Sequence, residues 1–299
     1  MEKHIHRIYL CYYISTLGFF VGLFIYNYVN GYVNEFIFKN YSERLNSKLG
    51  KYSLHPIYAS MYIGVAVLLS FKIYEKLNRV GSKILIIIGN IFLFLTIALL
   101  ARKSVFALLV LMCAFVFFTK QKKKEIFLYL IFITALFYIS FQIPALKIRY
   151  LEFFNTFFNN SNSQIGSTFY RLNIYKCGID SIFVSPWFGY GLGDTKSVLI
   201  ECYNTKMEVF NGQYFNSHNQ YISVWLSSGI LGFLSLVSMM VYNIKLMIRN
   251  SFIIETLILL LLTITMMIEN ILERQSGVIL FSFFINFFAF LIPQKRNIN

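Results

Sequence analysis

The sequence predicts an all-α integral membrane protein of about eight transmembrane helices, with a large outer-face helical loop between the fifth and sixth. Three observations carry that prediction. Of the 299 residues 57% are hydrophobic and only 13% charged, about half the charged share of a soluble domain. The mean hydropathy is +0.61. The apolar residues fall in long blocks separated by short basic clusters, the pattern of a chain that crosses a bilayer repeatedly.

The predicted spans are 8–29, 54–71, 84–101, 104–119, 126–143, 218–241, 252–271 and 277–293. About twenty helical residues, rising ~1.5 Å each, cross the ~30 Å hydrocarbon layer. The first run is too long for a cleaved leader and lacks a small-x-small site. Pro56 suits the first turn of the second. Only Arg102, Lys103 and Ser104 separate the third and fourth, which read as a tight hairpin. Lys120 and Lys122–Lys124 precede the fifth as a basic anchor.

Lys and Arg set the orientation. With the N-terminus inside, the inner connections hold fourteen and the short outer loops seven, so both termini are expected in the cytoplasm. The chain divides into 1–143 with five spans, an outer loop 144–217, and 218–299 with three spans and a short tail. The formal charge of +14 is read as attraction to anionic lipid. No recognition module surrounds the basic run, so nucleic acid is not an expected partner.

Within the loop, Leu151, Phe154 and Phe158 share a helical face between Leu146 and Phe158, suited to a membrane surface. Between Ser167 and Ile182, Leu172, Tyr175, Ile179 and Ile182 recur at helical spacing, with Arg171 and Lys176 on other faces. Pro186 ends this helix. Gly189, Gly191 and Gly193 do not form a phosphate loop, because no strand precedes them and no Gly-Lys-Ser/Thr follows. They read as a tight reversal between packed helices. Cys11 and Cys113 read as small apolar residues. Cys177 and Cys202 share the loop and pair if it faces an oxidising compartment. No cysteine shows metal-ligand spacing.

The candidate chemistry gathers at the outer face. His218 opens the sixth span behind Asn216 and Ser217, which read as N-caps. The positive helix end favours a neutral imidazole and attracts anions. His218 is either a polar residue at the water line or a base or ligand. Arg102 either snorkels to headgroups or, with Arg171, grips phosphate through its planar fork. Glu269 and Glu273, spaced i, i+4 at the outer end of the seventh span, are functional carboxylates or ion-pair partners of Arg102 or Arg274. His55, beside Pro56, is a further candidate ligand contact. Ser228, Gly232 and Ser235 form a small-residue stripe expected to pack another helix and hold His218 still.

These residues together resemble the O-antigen ligase and O-antigen polymerase family of bacterial surface polysaccharide assembly. The resemblance is strongest from Ser167 to Gly232: the Arg171 helix, Ser-Pro-Trp-Phe-Gly-Tyr-Gly-Leu-Gly-Asp, a spacer, Asn-Ser-His-Asn-Gln-Tyr and Gly-Ile-Leu-Gly. His-Pro-Ile-Tyr at 55–58 and Ala-Arg-Lys-Ser at 101–104 match more weakly, in the same order. The resemblance implies a multi-pass enzyme of the bacterial inner membrane. Its donor would be an undecaprenyl-pyrophosphate-linked glycan and its acceptor lipid A core or a growing polysaccharide. Arg102 and Arg171 would hold the pyrophosphate and His218 would act at the acceptor. His55, Asn219, Glu269 and Glu273 would contact substrate or support the site, and neither metal nor cofactor would be needed. Family members carry about four further spans before the part seen here, so a truncated, inactive member is one alternative. The other is a flippase for the same lipid-linked sugars, which would place polar or broken segments at mid-membrane; here the polar residues sit at the outer ends.

Overall fold

The computed structural model describes residues 2–29, 54–100, 103–119, 123–142, 147, 151, 167–206 and 215–296. Among these residues all regular structure is helical. Four helices are long and apolar enough to cross a membrane: His4–Val29, Pro56–Lys76, Val80–Leu99 and Gln220–Arg249. Three shorter apolar helices accompany them. The chain divides into two units, Met1–Arg149 with Ile253–Leu261, and Tyr150–Phe252 with Leu262–Asn299.

The first unit contains α1 (Glu2–Val29), α2 (Pro56–Lys76), α3 (Val80–Leu99), α4 (Lys103–Thr119), α5 (Lys123–Gln142) and the first nine residues of α9 (Ile253–Thr265). Helix α2 is its axis and is buried along most of its length. Ala59, Ser60, Gly64, Ala66 and Ser70 keep its surface low, which lets neighbouring helices approach closely. At Gly64 an added Cβ would stand 2.9 Å from Leu261 Cδ2. The hairpin expected around Arg102 agrees with α3 ending at Leu99 and α4 starting at Lys103. One buried charge cluster ties α1, α2 and α9. Tyr9 Oη donates to Glu255 Oε1 at 2.6 Å, and Lys72 forms an ion pair with the same carboxylate. A fully buried Glu255 is tolerable because Lys72 compensates its charge and the Tyr9 hydroxyl donates to it.

The second unit contains α6 (Ser167–Val184), α7 (Thr195–Lys206), α8 (Gln220–Arg249), the end of α9, a single 3-10 turn at Ile271–Glu273 and α10 (Gln275–Arg296). Its core joins Ile174, Cys177 and Ile182 of α6, Leu199, Cys202 and Tyr203 of α7, and Ile222 and Leu226 of α8. The buried face of α6 is therefore rotated from the expected stripe. Ile182 is buried, but Leu172 and Ile179 are exposed. Two tertiary contacts set the rotation. Gly178 lies against Ile222, whose Cγ2 is 2.6 Å from the position of an added Cβ, and Cys177 is bonded to Cys202.

That disulfide closes a loop with a sequence separation of 25. Replacing both cysteines by serine is expected to cost about 3 kcal/mol of stability, mostly by releasing the unfolded chain. The same loss should appear when the wild-type protein is melted with a thiol reductant. An unchanged melting temperature in both experiments would contradict it.

Two expected spans are redrawn. The sixth begins at Gln220, not at residue 218, and continues to Arg249. The seventh ends at Thr265, and 266–274 leaves the helix. The amphipathic segment expected at 146–158 lies outside the described residues apart from Lys147 and Leu151, and so does Arg102.

Candidate active site

The site is organised around a break in α8. Gly229 has φ 66° and ψ −166°, which interrupts the helical path. A break frees backbone groups that the helix would otherwise pair, and in a membrane span these need new partners. The glycine-rich loop supplies them. Tyr190 N–H donates to Leu226 O at 2.7 Å, Gly191 N–H to Ser227 O at 3.0 Å, and Ile230 N–H to Pro186 O at 3.0 Å. The Trp225 indole also donates to Pro186 O at 3.0 Å.

The loop is held in shape from within. Ser185 Oγ donates to Gly189 O at 2.8 Å, and Tyr190 Oη donates to Ser181 O at 2.7 Å. Gly189 and Gly191 have φ of 68° and 83°, a region open to glycine without penalty. The reversal expected here is thus a latch that fixes the end of α6 to α8 two to three turns past its start. It takes over the bracing role expected of the Ser228–Gly232–Ser235 stripe. Ser228 and Ser235 are exposed, and their hydroxyls turn back to Val224 O and Leu231 O of their own helix.

Just before α8 the chain takes a second strained turn. Asn219 is the N-cap, its Oδ1 accepting from Tyr221 N–H at 3.0 Å and Ile222 N–H at 3.2 Å. The capping role expected of Asn216 and Ser217 is therefore corrected to Asn219, and His218 stands outside the helix. His218 has φ 44°, left-handed backbone that costs a non-glycine residue about 1 kcal/mol. Asn216 Oδ1 accepts from His218 N–H at 3.3 Å. The Tyr175 hydroxyl lies 3.2 Å from His218 O and 3.1 Å from Met267 O, and donates into that pair of carbonyls.

The imidazole faces a buried acid. His218 Nδ1 is 3.4 Å from Glu269 Oε2, and Glu269 is only 5% exposed. A carboxylate accepts, so Nδ1 is the donor in this contact, and Nε2 is the ring nitrogen turned from the acid. The Phe215 ring centroid lies 6.2 Å from that of His218.

Glu273 plays a different part. Its Oε1 accepts from Ser223 Oγ at 2.5 Å and Asn270 Nδ2 at 2.5 Å, and its Oε2 from Asn216 Nδ2 at 3.2 Å. Buried Ser217 and Asn270 bond to each other, and Gln220 Oε1 accepts from Leu272 N–H at 2.8 Å. Gln220 N–H donates to Met266 O at 2.8 Å. With these bonds 266–273 leaves the α-helix, through turns and the 3-10 turn at Ile271–Glu273, so the expected i, i+4 face of Glu269 and Glu273 does not exist. Both acids still meet the 216–223 segment from a chain that runs past it.

Arg171 stands one turn before Tyr175 on α6 and is half-buried. Burial raises the Tyr175 pKa above the ordinary phenol value; Arg171 opposes that rise and Glu269 adds to it. Arg171 and Glu269 thus each act electrostatically on Tyr175. His218, Asn219, Glu269, Glu273 and Arg171 converge within this unit. His55 belongs to the other unit, where it precedes α2 and lies edge-on to Tyr58. Among the described residues no three His, Cys, Asp or Glu side chains gather as a metal cluster.

Sequence reading missed Tyr175, Ser217, Gln220 and Asn270 as parts of this site. The one available signal was polar residues within otherwise apolar runs, of which Glu269-Asn270 is the clearest.

A family model described as O-Antigen ligase matches residues 87–237. That region includes the Arg171 helix, the glycine loop, the break at Gly229 and His218, while Glu269 and Glu273 lie beyond it. No curated protein matches the sequence. With half of the chain inside the match, and with that half carrying the latch and the histidine, the protein belongs to the O-antigen ligase family of membrane enzymes of lipopolysaccharide biosynthesis.

Proposed function

We propose that the protein transfers a glycan from an undecaprenyl-pyrophosphate donor to a hydroxyl of lipid A core or of a growing polysaccharide, at the outer face of the inner membrane. The observation that carries this reading is His218, held in left-handed backbone with Nδ1 toward buried Glu269. Strained backbone concentrates where a side chain must be aimed for function. A base whose second nitrogen is oriented by an acid is a recurring catalytic arrangement.

In the proposed step the acceptor oxygen attacks the anomeric carbon and the bond from that carbon to the pyrophosphate oxygen breaks. The acceptor proton passes to His218 Nε2. The leaving pyrophosphate keeps the bonding electrons, and Arg171 and Arg102 stabilise its growing charge. No metal is assigned to this step. The Cys177–Cys202 disulfide supports an outer-face position for the loop, since such bonds persist in oxidising compartments.

Arg171→Ala is expected to lower transfer about 100-fold, with Arg171→Lys recovering only part because an ammonium lacks the planar fork. The assay uses purified protein in proteoliposomes with lipid-linked donor. Transfer at the wild-type rate in Arg171→Ala would overturn the assignment. Movement of lipid-linked sugar across the vesicle bilayer without covalent product would overturn the enzyme reading itself.

A further inference from the structure

The latch loop turns its most apolar side chains outward. Phe183, Val184, Trp187, Phe188 and Leu192 are all exposed, from 70% at Trp187 to 90% at Leu192. An apolar patch of this kind on a loop marks a surface that something apolar covers. The usual explanation for an outer loop, exposure to water, fails for these residues.

The backbone bonds of the latch fix the height of the loop on α8. They end at Leu226, Ser227 and Ile230, two to three turns past the helix start. From Gly229 to exposed Lys245, α8 rises about 24 Å, against a hydrocarbon layer of about 30 Å. With Lys245 at one boundary, the latch lies about 6 Å inside the opposite one, and helix tilt takes it deeper. With Arg249 at the boundary instead, the latch lies level with the opposite edge of the hydrocarbon. Both placements bring the tip of the loop against lipid.

The neighbouring surface agrees. Leu231, two residues beyond the break, is 71% exposed, so α8 itself presents an apolar side chain next to the break. Polar Asp194 and Lys196 follow Leu192 and return the chain to water. Tryptophan is the residue enriched at that depth.

We propose that Phe183–Leu192 is a re-entrant wedge seated among lipid acyl chains, in the leaflet at the N-terminal end of α8. Irregular backbone at membrane depth needs partners for its polar groups, and the break in α8 supplies them to the Tyr190 and Gly191 amides and the Pro186 carbonyl. The loop and the break are then one device: each supplies the hydrogen-bond partners the other lacks in hydrocarbon.

Trp187 reports on this directly, because the chain has only two tryptophans. In Trp225→Phe the remaining emission comes from Trp187, and phenylalanine preserves the stack that Trp225 makes on Phe233. The full chain is reconstituted in phosphatidylcholine vesicles. Lipids brominated part-way along the acyl chain should quench Trp187 about twofold, while aqueous iodide has little effect. Strong iodide quenching with no effect of brominated lipid would overturn the proposal. Protection from both quenchers would also overturn it, because a protein surface such as a second copy would then cover the patch. If Trp225→Phe fails to fold, the difference in emission between wild type and Trp187→Phe gives the same quantity with Trp225 in place. Because the readout is depth and not activity, failure here leaves the proposed glycan transfer untouched.

Discussion

Gly229→Ala is expected to be the most damaging single-methyl change in the described part of the protein. The new Cβ would lie 2.5 Å from Trp187 C and 2.8 Å from Phe188 Cα, with the Trp187 carbonyl oxygen nearer still. These are backbone atoms, fixed by three hydrogen bonds to the same helix, so no side-chain rotation relieves the contact. Alanine would also have to hold φ 66°, itself worth about 1–2 kcal/mol. The loop must leave, and Leu226 O, Ser227 O and Ile230 N–H then lose their partners in hydrocarbon, at about 1–3 kcal/mol each. Partial relaxation brings the expected loss to about 4 kcal/mol, with transfer activity lost as α6 separates from the start of α8. Gly191→Ala is the control. Its φ is 83° but open space surrounds it, so only the backbone penalty of about 1 kcal/mol remains. Thermal unfolding of the two variants in one detergent decides the matter; equal midpoints would refute the latch.

The second large effect is expected at His218. Asparagine adopts left-handed backbone more readily than most residues, so His218→Asn should keep the turn while removing the base. Transfer is expected to fall about 10³-fold with little change in stability. Glu269→Gln keeps the shape of the acid and loses its charge, with an expected fall of about 10²-fold. The double variant should be little worse than His218→Asn alone, because groups that act as a unit do not add. Glu273→Gln separates chemistry from scaffolding: it loosens the clamp on Ser223, Asn270 and Asn216, so it should lower stability more than rate. Wild-type transfer by His218→Asn would remove the histidine from the mechanism.

Much of the candidate site was visible in the residues. His218, Arg171 and Glu269 stood out because polar and charged groups at the ends of apolar runs are costly without a use. Their partners were much less visible. Tyr175 resembled a core residue by its helical spacing, and only the fold turns its hydroxyl toward the carbonyls of His218 and Met267. Asn219 was marked as a site residue, yet its structural task is to cap α8. The capping role went to Asn216 and Ser217 because sequence alone does not reveal that His218 leaves the helical path.

The sequence by itself determined that this is a membrane protein, roughly where its apolar helices run, that Pro186 closes the Arg171 helix, and in what order the site motifs occur. Those properties follow from local chemistry: the length of an apolar run is matched to bilayer thickness, and a proline just past Val184 offers no amide to continue the helix. Only the tertiary structure decided that 266–273 is unwound, that α6 buries Ile174 and Cys177 while Leu172 and Ile179 stay exposed, and that Gly229 breaks α8 to receive the 185–191 loop. Each of these depends on bonds to residues about twenty-five to sixty positions away. In hydrocarbon every backbone group must be paired, but distant segments can supply the pairing as well as the helix itself. The shape of the site follows from that non-local choice.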